Sequence, residues 1–405
     1  MKISHMHWGF PPVIGGVESH LAMLGPQLVM NNCDVSLLTA AVEGWPEEER
    51  YKGVYIKRTQ YMDLNSLDKH RILKQAPEIR NEMEDFIEKT GPDLVHAHNM
   101  HYFSPVHADI LGDIKKRFGI PLVLTAHNVW PDNNRIWKEM TKRAGIWDAV
   151  IAVSHYIKKE LVRSGYDDKR VTTVHHGIDL NKFAPPQAGD SQKLLDRYPE
   201  FKGRRVIFHP ARLNLEKGSH ISLKALDIIR KEFPDVLLVL AGTEKAVDWG
   251  STHHRHVLKI SGMIDSMALR DHVFVKFFAW DEMPLIYKAA EFSVYPSCFQ
   301  EPFGLVMLES MASGKPVVVS RAGGMPEVIQ NGINGFVVEM ANGKQLADKC
   351  LYLLKNPHTC LRMGYSGRKM VEDNWTKEIM TLRTMQVYEE TISSLTARLG
   401  EKKPV

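Results

Sequence analysis

The chain has 405 residues, 44% apolar and 25% charged, the make-up of a folded protein of two or three domains, which excludes disorder for the bulk of it. Its 52 basic and 48 acidic residues leave a formal charge of +4, too mild a balance to argue for nucleic acid. The four cysteines, Cys33, Cys298, Cys350 and Cys360, form no C-x-x-C pair and show no spacing of a disulfide framework or zinc site, so a reducing, cytoplasmic setting is expected.

The N-terminal MKISHMHWGF has no long apolar stretch and does not read as a signal peptide. No run approaches the ~20 apolar residues a spanning helix needs, so any membrane contact is expected to be peripheral. The basic patches Lys115-Lys116-Arg117 and Lys158-Lys159 read as solvated helix faces.

Along the first half, strands are predicted at 2–6, 35–39, 54–58, 93–98, 122–126, 149–153 and 172–175, with helices at 17–30, 70–89, 105–118 and 155–164. The second half repeats the alternation. Its strands are 206–210, 236–241, 273–277, 292–296, 317–320 and 335–338, and its helices 219–232, 256–266, 283–289, 303–313 and 345–355. Short strands that are apolar throughout, separated by helices, imply parallel sheets covered on both faces. The α/β fold class expected is therefore two Rossmann-like, doubly wound domains. The Pro185-Pro186 and Gly189-Asp190-Ser191 stretch within 181–204 marks the boundary, giving domains 1–184 and 185–376. A last helix is predicted at 377–398.

In such folds ligands collect beyond the carboxyl ends of the strands. After the first strand, Gly15-Gly16 open a helix, serving as a tight turn or as a loop that lets backbone approach a phosphate. After strand 206–210, Arg212 and Lys217 precede Gly218 at a helix entrance. A planar guanidinium and a point-charge ammonium suit a diphosphate. After strand 292–296 comes Glu301-Pro302-Phe303-Gly304-Leu305, with Glu309 further along a helix that ends near Gly314. Pro302 is expected in the first helical turn, and the amides near Phe303, Gly304 and Leu305 face an anion. Glu309 stands in the apolar run MLESMA, where a carboxylate is costly unless it binds something such as sugar hydroxyls; the alternative is a surface glutamate. Arg321-Ala322-Gly323-Gly324-Met325-Pro326-Glu327 is another glycine-rich strand-to-helix turn.

Taken together, E-P-F-G-L-x-x-x-E (Glu301 to Glu309), R-L-x-x-x-K-G (Arg212 to Gly218), G-G (Gly15-Gly16), G-G-x-P-E (Gly323 to Glu327) and T-A-H-N (Thr125 to Asn128) cover essentially the whole chain in order. In these motifs the chain resembles the family 4 retaining glycosyltransferases of the GT-B fold (glycosyl transferases group 1), whose active site lies in the cleft between two domains. The resemblance implies that Arg212 and Lys217 grip the donor diphosphate with Gly15, Gly16, Gly304 and Leu305. It implies that Glu309 binds the donor ribose, that Glu301 contacts the transferred sugar, and that His127 lies near the sugar's 6-position and the reacting face. The base is expected against Phe277-Phe278-Ala279. UDP is the carrier the family favours. The C-terminal helix is implied to cross back onto the first domain, with Trp375 at the crossover.

The paired glutamates resemble a glycosidase pair, but enzymes of this class are similar in lacking an enzymic nucleophile. The leaving phosphate oxygen takes the acceptor's proton, and catalysis rests on positioning and charge neutralisation. No H-E-x-x-H spacing and no D-x-D placed for a metal-held diphosphate occurs, so no metal or other cofactor is expected beside the nucleotide-sugar co-substrate. His96, His98 and His175 sit at strand ends as candidates for a cleft role, while 253–256 reads as an exposed loop.

The acceptor is expected on the first domain, near Trp8, Asn99, Met100, His101, Trp130 and Asp132. Aromatics stack on sugar rings and Asp132 would meet an ammonium, as in an amino sugar or aminocyclitol. A sugar-nucleotide epimerase, a phosphorylase and a non-catalytic sugar-nucleotide-binding protein are the alternative readings. A dehydrogenase is disfavoured because no G-x-G-x-x-G follows a strand.

Overall fold

The computed structural model describes residues 1–13, 15–64, 69–101, 104–130, 135–242, 251–279 and 281–400, without the side chains of 69, 251–253 and 398–400. The chain forms two compact units, one of 1–176 with 377–405 and one of 177–376. The expected boundary at 184/185 falls within the second unit, where the Phe183 ring lies 5.8 Å from that of Tyr287.

In the first unit the strands are β1 (Lys2–Met6), β2 (Asp34–Ala40), β3 (Glu48–Tyr51), β4 (Val54–Thr59), β5 (Leu94–His98), β6 (Leu122–Ala126), β7 (Ala149–Ala152) and β8 (Val171–Thr173). Among the described residues they form one sheet in the order β3-β4-β2-β1-β5-β6-β7-β8, parallel except for β3 against β4. Strand β3 is absent from the sequence reading because EERY offers no apolar alternation and its side chains stay partly or fully exposed. By contrast β5 and β6 are buried at every position, as strands covered by helices on both faces must be. Serine hydroxyls cap the flanking helices: Ser104 accepts from the His107 amide at 3.3 Å and Ser154 from Ile157 at 3.1 Å. The last helix, Lys377–Gly400, belongs to this unit. Its Tyr388 is buried in a core with Leu24, Leu28 and Val35, and Trp375 just before it accepts a backbone bond from Ile178 at 2.9 Å within the second unit.

In the second unit β9 (Arg205–His209), β10 (Val236–Gly242), β11 (Val273–Phe277), β12 (Phe292–Tyr295), β13 (Val317–Ser320) and β14 (Gly335–Val338) make a parallel sheet ordered β11-β10-β9-β12-β13-β14. Its core joins Ile207, Leu238, Phe292 and Val318 of the strands to Leu226 and Leu346 of the helices. Two helical stretches of this unit depart clearly from the sequence reading, as in the first unit do Arg135–Thr141, which it omitted, and 70–89, which is two helices, Lys69–Lys74 and Ala76–Thr90. Residues 253–256 lie in the helix Ser251–Ser266 rather than a loop, and Pro357–Asn374 is a helix that the sequence reading omitted. The latter carries two glycines within its helical pattern, but Gly364 and Gly367 are buried where the helix meets the backbone of Gly314 and the side chain of Met311. No helix among the described residues is long and apolar enough to cross a membrane.

Candidate active site

Each sheet has one place where the chain leaves neighbouring strands in opposite directions, the position at which doubly wound folds open a crevice. In the second unit this is between β9 and β12, paired in parallel through Ile207 with Phe292 and Phe208 with Ser293. Their carboxyl ends therefore deliver the loop holding Arg212 and Lys217 and the loop holding Glu301 to the same edge.

The two loops interlock. Cys298 donates its amide to the Glu216 carbonyl at 2.7 Å, and Lys217 Nζ lies 2.5 Å from Glu301 Oε1. Tyr295 Oη donates to the same oxygen at 2.6 Å, and Ser297 Oγ stands 3.3 Å from it. The ammonium also sits 5.0 Å from the centre of the Phe299 ring. Gly218 permits the approach. It has φ +81°, and a Cβ there would lie 1.9 Å from the Pro296 carbonyl oxygen. Burial and the Glu301 carboxylate push the Tyr295 phenol far above its ordinary range, while the positive charge of Arg212 pulls it down. The guanidinium thus acts on the same cluster. Both Arg212 and Lys217 are half-buried, and the Glu301 side chain is almost fully covered.

The turn after β13 closes against this cluster. Gly323 donates to Gln300 Oε1 at 2.6 Å and Gly324 to the Glu301 carbonyl at 2.8 Å. At φ +54°, a Cβ on Gly323 would meet the Glu301 carbonyl oxygen at 1.9 Å. The first role of G-G-x-P-E here is close loop packing, with Glu327 half-buried in the short helix Met325–Val328.

Helix Leu305–Ala312 starts two residues later than expected. Pro302 lies before it rather than in its first turn, because Gly304 takes φ +92° and acts as the cap. Phe303 is fully buried, so only its backbone faces the turn, and the first amides of the helix, at Leu305 and Val306, have no carbonyl partner within the helix. On this helix Glu309 accepts a hydrogen bond from Tyr287 Oη at 2.7 Å through Oε2. Burial raises the Glu309 pKa, opposed by that bond and by the charge of Lys182. Glu309 is therefore no surface glutamate, and one of its oxygens is occupied. Phe278 is 7% exposed and packs among Tyr198, Phe208 and Phe274, whereas Phe277 is 40% exposed and Ala279 is exposed.

Tyr295 and Tyr287 were missed as site residues. Tyr295 offered a signal, a phenol at the carboxyl end of a buried strand directly before the glutamate loop. Tyr287 offered none, since only folding brings it to Glu309.

In the first unit the corresponding switch lies between β1 and β5. Around it gathers a core of imidazoles. His98, at the end of β5, bonds His5 on β1 (Nε2 to Nδ1, 3.0 Å) and His127 after β6 (Nδ1 to Nε2, 3.0 Å). His20 Nδ1 meets His176 Nδ1 at 3.0 Å, so the cluster takes His176; His175 is only half-buried, with its ring beside that of His155. His96 is held on both sides, by Tyr388 at 2.6 Å and Thr125 at 2.7 Å. Burial, then the neighbouring imidazoles, keep the His127 pKa well below its usual value, so the ring is neutral. His7 pairs with Glu18 at 3.2 Å beside the glycine loop, where Gly15 is the extended cap and Gly16 the exposed first residue of the helix Gly16–Met30.

The acceptor residues divide. Asn99 holds φ +56° and accepts from the His127 amide at 2.8 Å, which makes it a support of His127 rather than an open contact. His101 is buried with Nε2 2.8 Å from the Asn128 carbonyl, and Trp8 and Met100 are buried too. Trp130 is 52% exposed. Asp132 lies outside the described residues.

Residues 14–182 match the family described as Glycosyltransferase Family 4, and residues 190–370 match Glycosyl transferases group 1, together spanning most of the chain. The chain is 30% identical to spore coat protein SA of Bacillus subtilis over 248 residues, which cover 60% of this chain and 64% of that protein. It is 25% identical to the glycogen synthase of Mycobacterium tuberculosis over 435 residues, covering 100% of this chain and 97% of that one. Among solved structures, Anabaena HepE in complex with UDP and glucose superposes with a TM-score of 0.77 at 19% identity, covering 96% of this chain and 99% of that one. With its two parallel-sheet α/β units and these matches across both, the chain belongs to the family 4 glycosyltransferases, glycosyl transferases group 1, of the GT-B fold.

Proposed function

We propose that this glycosyltransferase is a retaining enzyme of the cytoplasm that needs no metal ion to hold its donor diphosphate. It moves a hexose or N-acetylhexosamine from a UDP-sugar to a hydroxyl of a small-molecule or glycan acceptor. The observation that carries this reading is the convergence of Lys217, Tyr295 and Ser297 on a single oxygen of Glu301, under the field of Arg212.

An ammonium has three donors, and Glu301 uses one of them. The rest, with the planar guanidinium of Arg212, match in charge and donor geometry what two phosphates need. Glu301 Oε1 is occupied by its three neighbours, so Oε2 serves a hydroxyl of the transferred sugar. Glu309 works likewise: Tyr287 fixes Oε2, and Oε1 takes the ribose. Fixed charges placed where the diphosphate departs lower the barrier without reorganisation. The leaving phosphate oxygen takes the acceptor's proton, and neutral His127 supplies a hydrogen bond rather than a charge. HepE was solved with UDP and glucose and supports the choice of carrier. An amino-sugar or aminocyclitol acceptor rests on the exposed ring of Trp130 and on Asp132.

The test is to incubate the chain with UDP-, GDP- and ADP-sugars, with and without an acceptor panel, and follow nucleotide release and the anomeric form of the product. Acceptor-dependent release of UDP with the donor's anomeric configuration kept is expected. An inverted product, or an altered sugar formed from donor alone, would overturn the reading.

A further inference from the structure

The geometry points to a transition-metal site in the first unit, built by His20, His98 and His127 and suited to a borderline ion such as zinc or cobalt. Each of the three buried residues offers a ring nitrogen, and the three nitrogens lie within 4.8 Å of one another. The rings are 4.9 to 5.7 Å apart between centres. His98 Nδ1 and His127 Nε2 are already 3.0 Å apart. Two imidazoles on a tetrahedral zinc at ~2.05 Å place their nitrogens roughly 3.3 Å apart, so closing on an ion needs movements of an ångström or so.

His5, His96 and His98 form an overlapping group that meets the same distance test. It is the poorer site, because both ring nitrogens of His96 are already hydrogen-bonded, to Tyr388 and Thr125. His20 Nε2, in contrast, is buried and has no hydrogen-bond partner. A buried polar atom left unmatched is a standing cost that a ligand bond would remove.

One set of neutral tautomers frees all three nitrogens at once. His127 carries its proton on Nδ1. His98 carries its own on Nε2 and donates it to His5 Nδ1, with the His5 proton on Nε2. His20 donates from Nδ1 to His176 Nδ1, which leaves His20 Nε2 as a lone pair. No net proton is released. His5 and His176 then act as the outer partners that orient ligating imidazoles, a role that commonly fixes both ring angle and tautomer. Burial and mutual repulsion keep all three ligands neutral, the form that binds metal. Three nitrogens leave the fourth position of a tetrahedral ion to a ligand from outside the chain.

The test uses the full chain stripped of metal with a chelator. Cobalt(II) titrated into it is expected to give the intense visible absorption of a four-coordinate ion, saturating at one ion per chain, displaced by zinc, lost in His20→Gln and kept in the exposed control His155→Gln. Since changing a buried histidine can unfold the unit, crystals of the unsubstituted chain grown with zinc provide the second measurement. Anomalous scattering is expected between the rings of His20, His98 and His127. Only the weak spectrum of six-coordinate cobalt, a four-coordinate spectrum that survives His20→Gln, or anomalous density confined to surface histidines would each overturn the assignment.

Discussion

Lys217 and Glu301 hold one another in a half-buried pair, and neither is free to be removed without exposing the other. Lys217→Ala takes away both the ammonium aimed at the diphosphate and the partner of a covered carboxylate. Losing one preorganised charge of this kind costs about 3 kcal/mol of transition-state stabilisation, so turnover is expected to fall on the order of a hundred-fold; near-normal turnover in a steady-state assay would contradict the role. Tyr287→Phe keeps the ring but frees Glu309 Oε2 in a half-buried setting. Donor affinity is expected to weaken by roughly ten-fold with a smaller change in kcat, read from the KM for the nucleotide sugar. These residues were unequally legible. Arg212, Lys217, Glu301 and Glu309 stand out because charge at strand ends and in an apolar helix has few structural excuses. Asn99 and His101 have polar side chains at a strand end as well, yet both are spent on backbone groups, and no local pattern separates those two uses.

At the level of the element, the site depends on loops that pass within van der Waals distance of one another. Gly218 can take no side chain: Gly218→Ala adds the strain of a left-handed residue to a collision with the Pro296 carbonyl. A destabilisation of about 2 kcal/mol or more is expected, seen as a lowered unfolding midpoint in urea with an unchanged m value. His209, the last residue of β9, gives its strand a pH response. Its Nδ1 bonds Ser222 at 2.8 Å, and burial, then His220, lower its pKa from 6.5 to about 3. The unfolded chain takes up a proton below about 6.5 that the folded chain refuses, so this histidine's effect is absent above that pH and stability falls as the pH drops toward 3. Between pH 6 and 4 the slope is about 1.4 kcal/mol per pH unit for each such group, and His209→Gln is expected to lessen the fall of the melting temperature by that share. Strand positions were readable from apolar runs because parallel strands buried on both faces leave a continuous signature. The antiparallel edge β3 and the helix Pro357–Asn374 were not, since an exposed edge needs no apolar residue and glycines that look like breaks serve tight packing.

At the scale of the whole molecule, the same device appears twice: a parallel sheet whose strand order reverses, with polar and charged side chains gathered around the reversal. In the second unit the loops that leave it carry cations and a carboxylate; in the first, imidazoles from the strands and the segments beside them gather there, held neutral by burial. The alternation of strands and helices made the two-unit architecture legible. That the last helix belongs with the first unit was implied only by family resemblance, as its apolar stripe names no partner. The central claim is that Arg212 and Lys217 hold a diphosphate. It is tested most directly by calorimetric titration of UDP and of uridine into the unsubstituted chain and into the Arg212→Ala, Lys217→Ala double variant. The unsubstituted chain is predicted to prefer UDP by at least about a hundred-fold, ~3 kcal/mol, and the folded double variant to bind the two alike. A double variant that keeps the full preference for UDP would contradict the account.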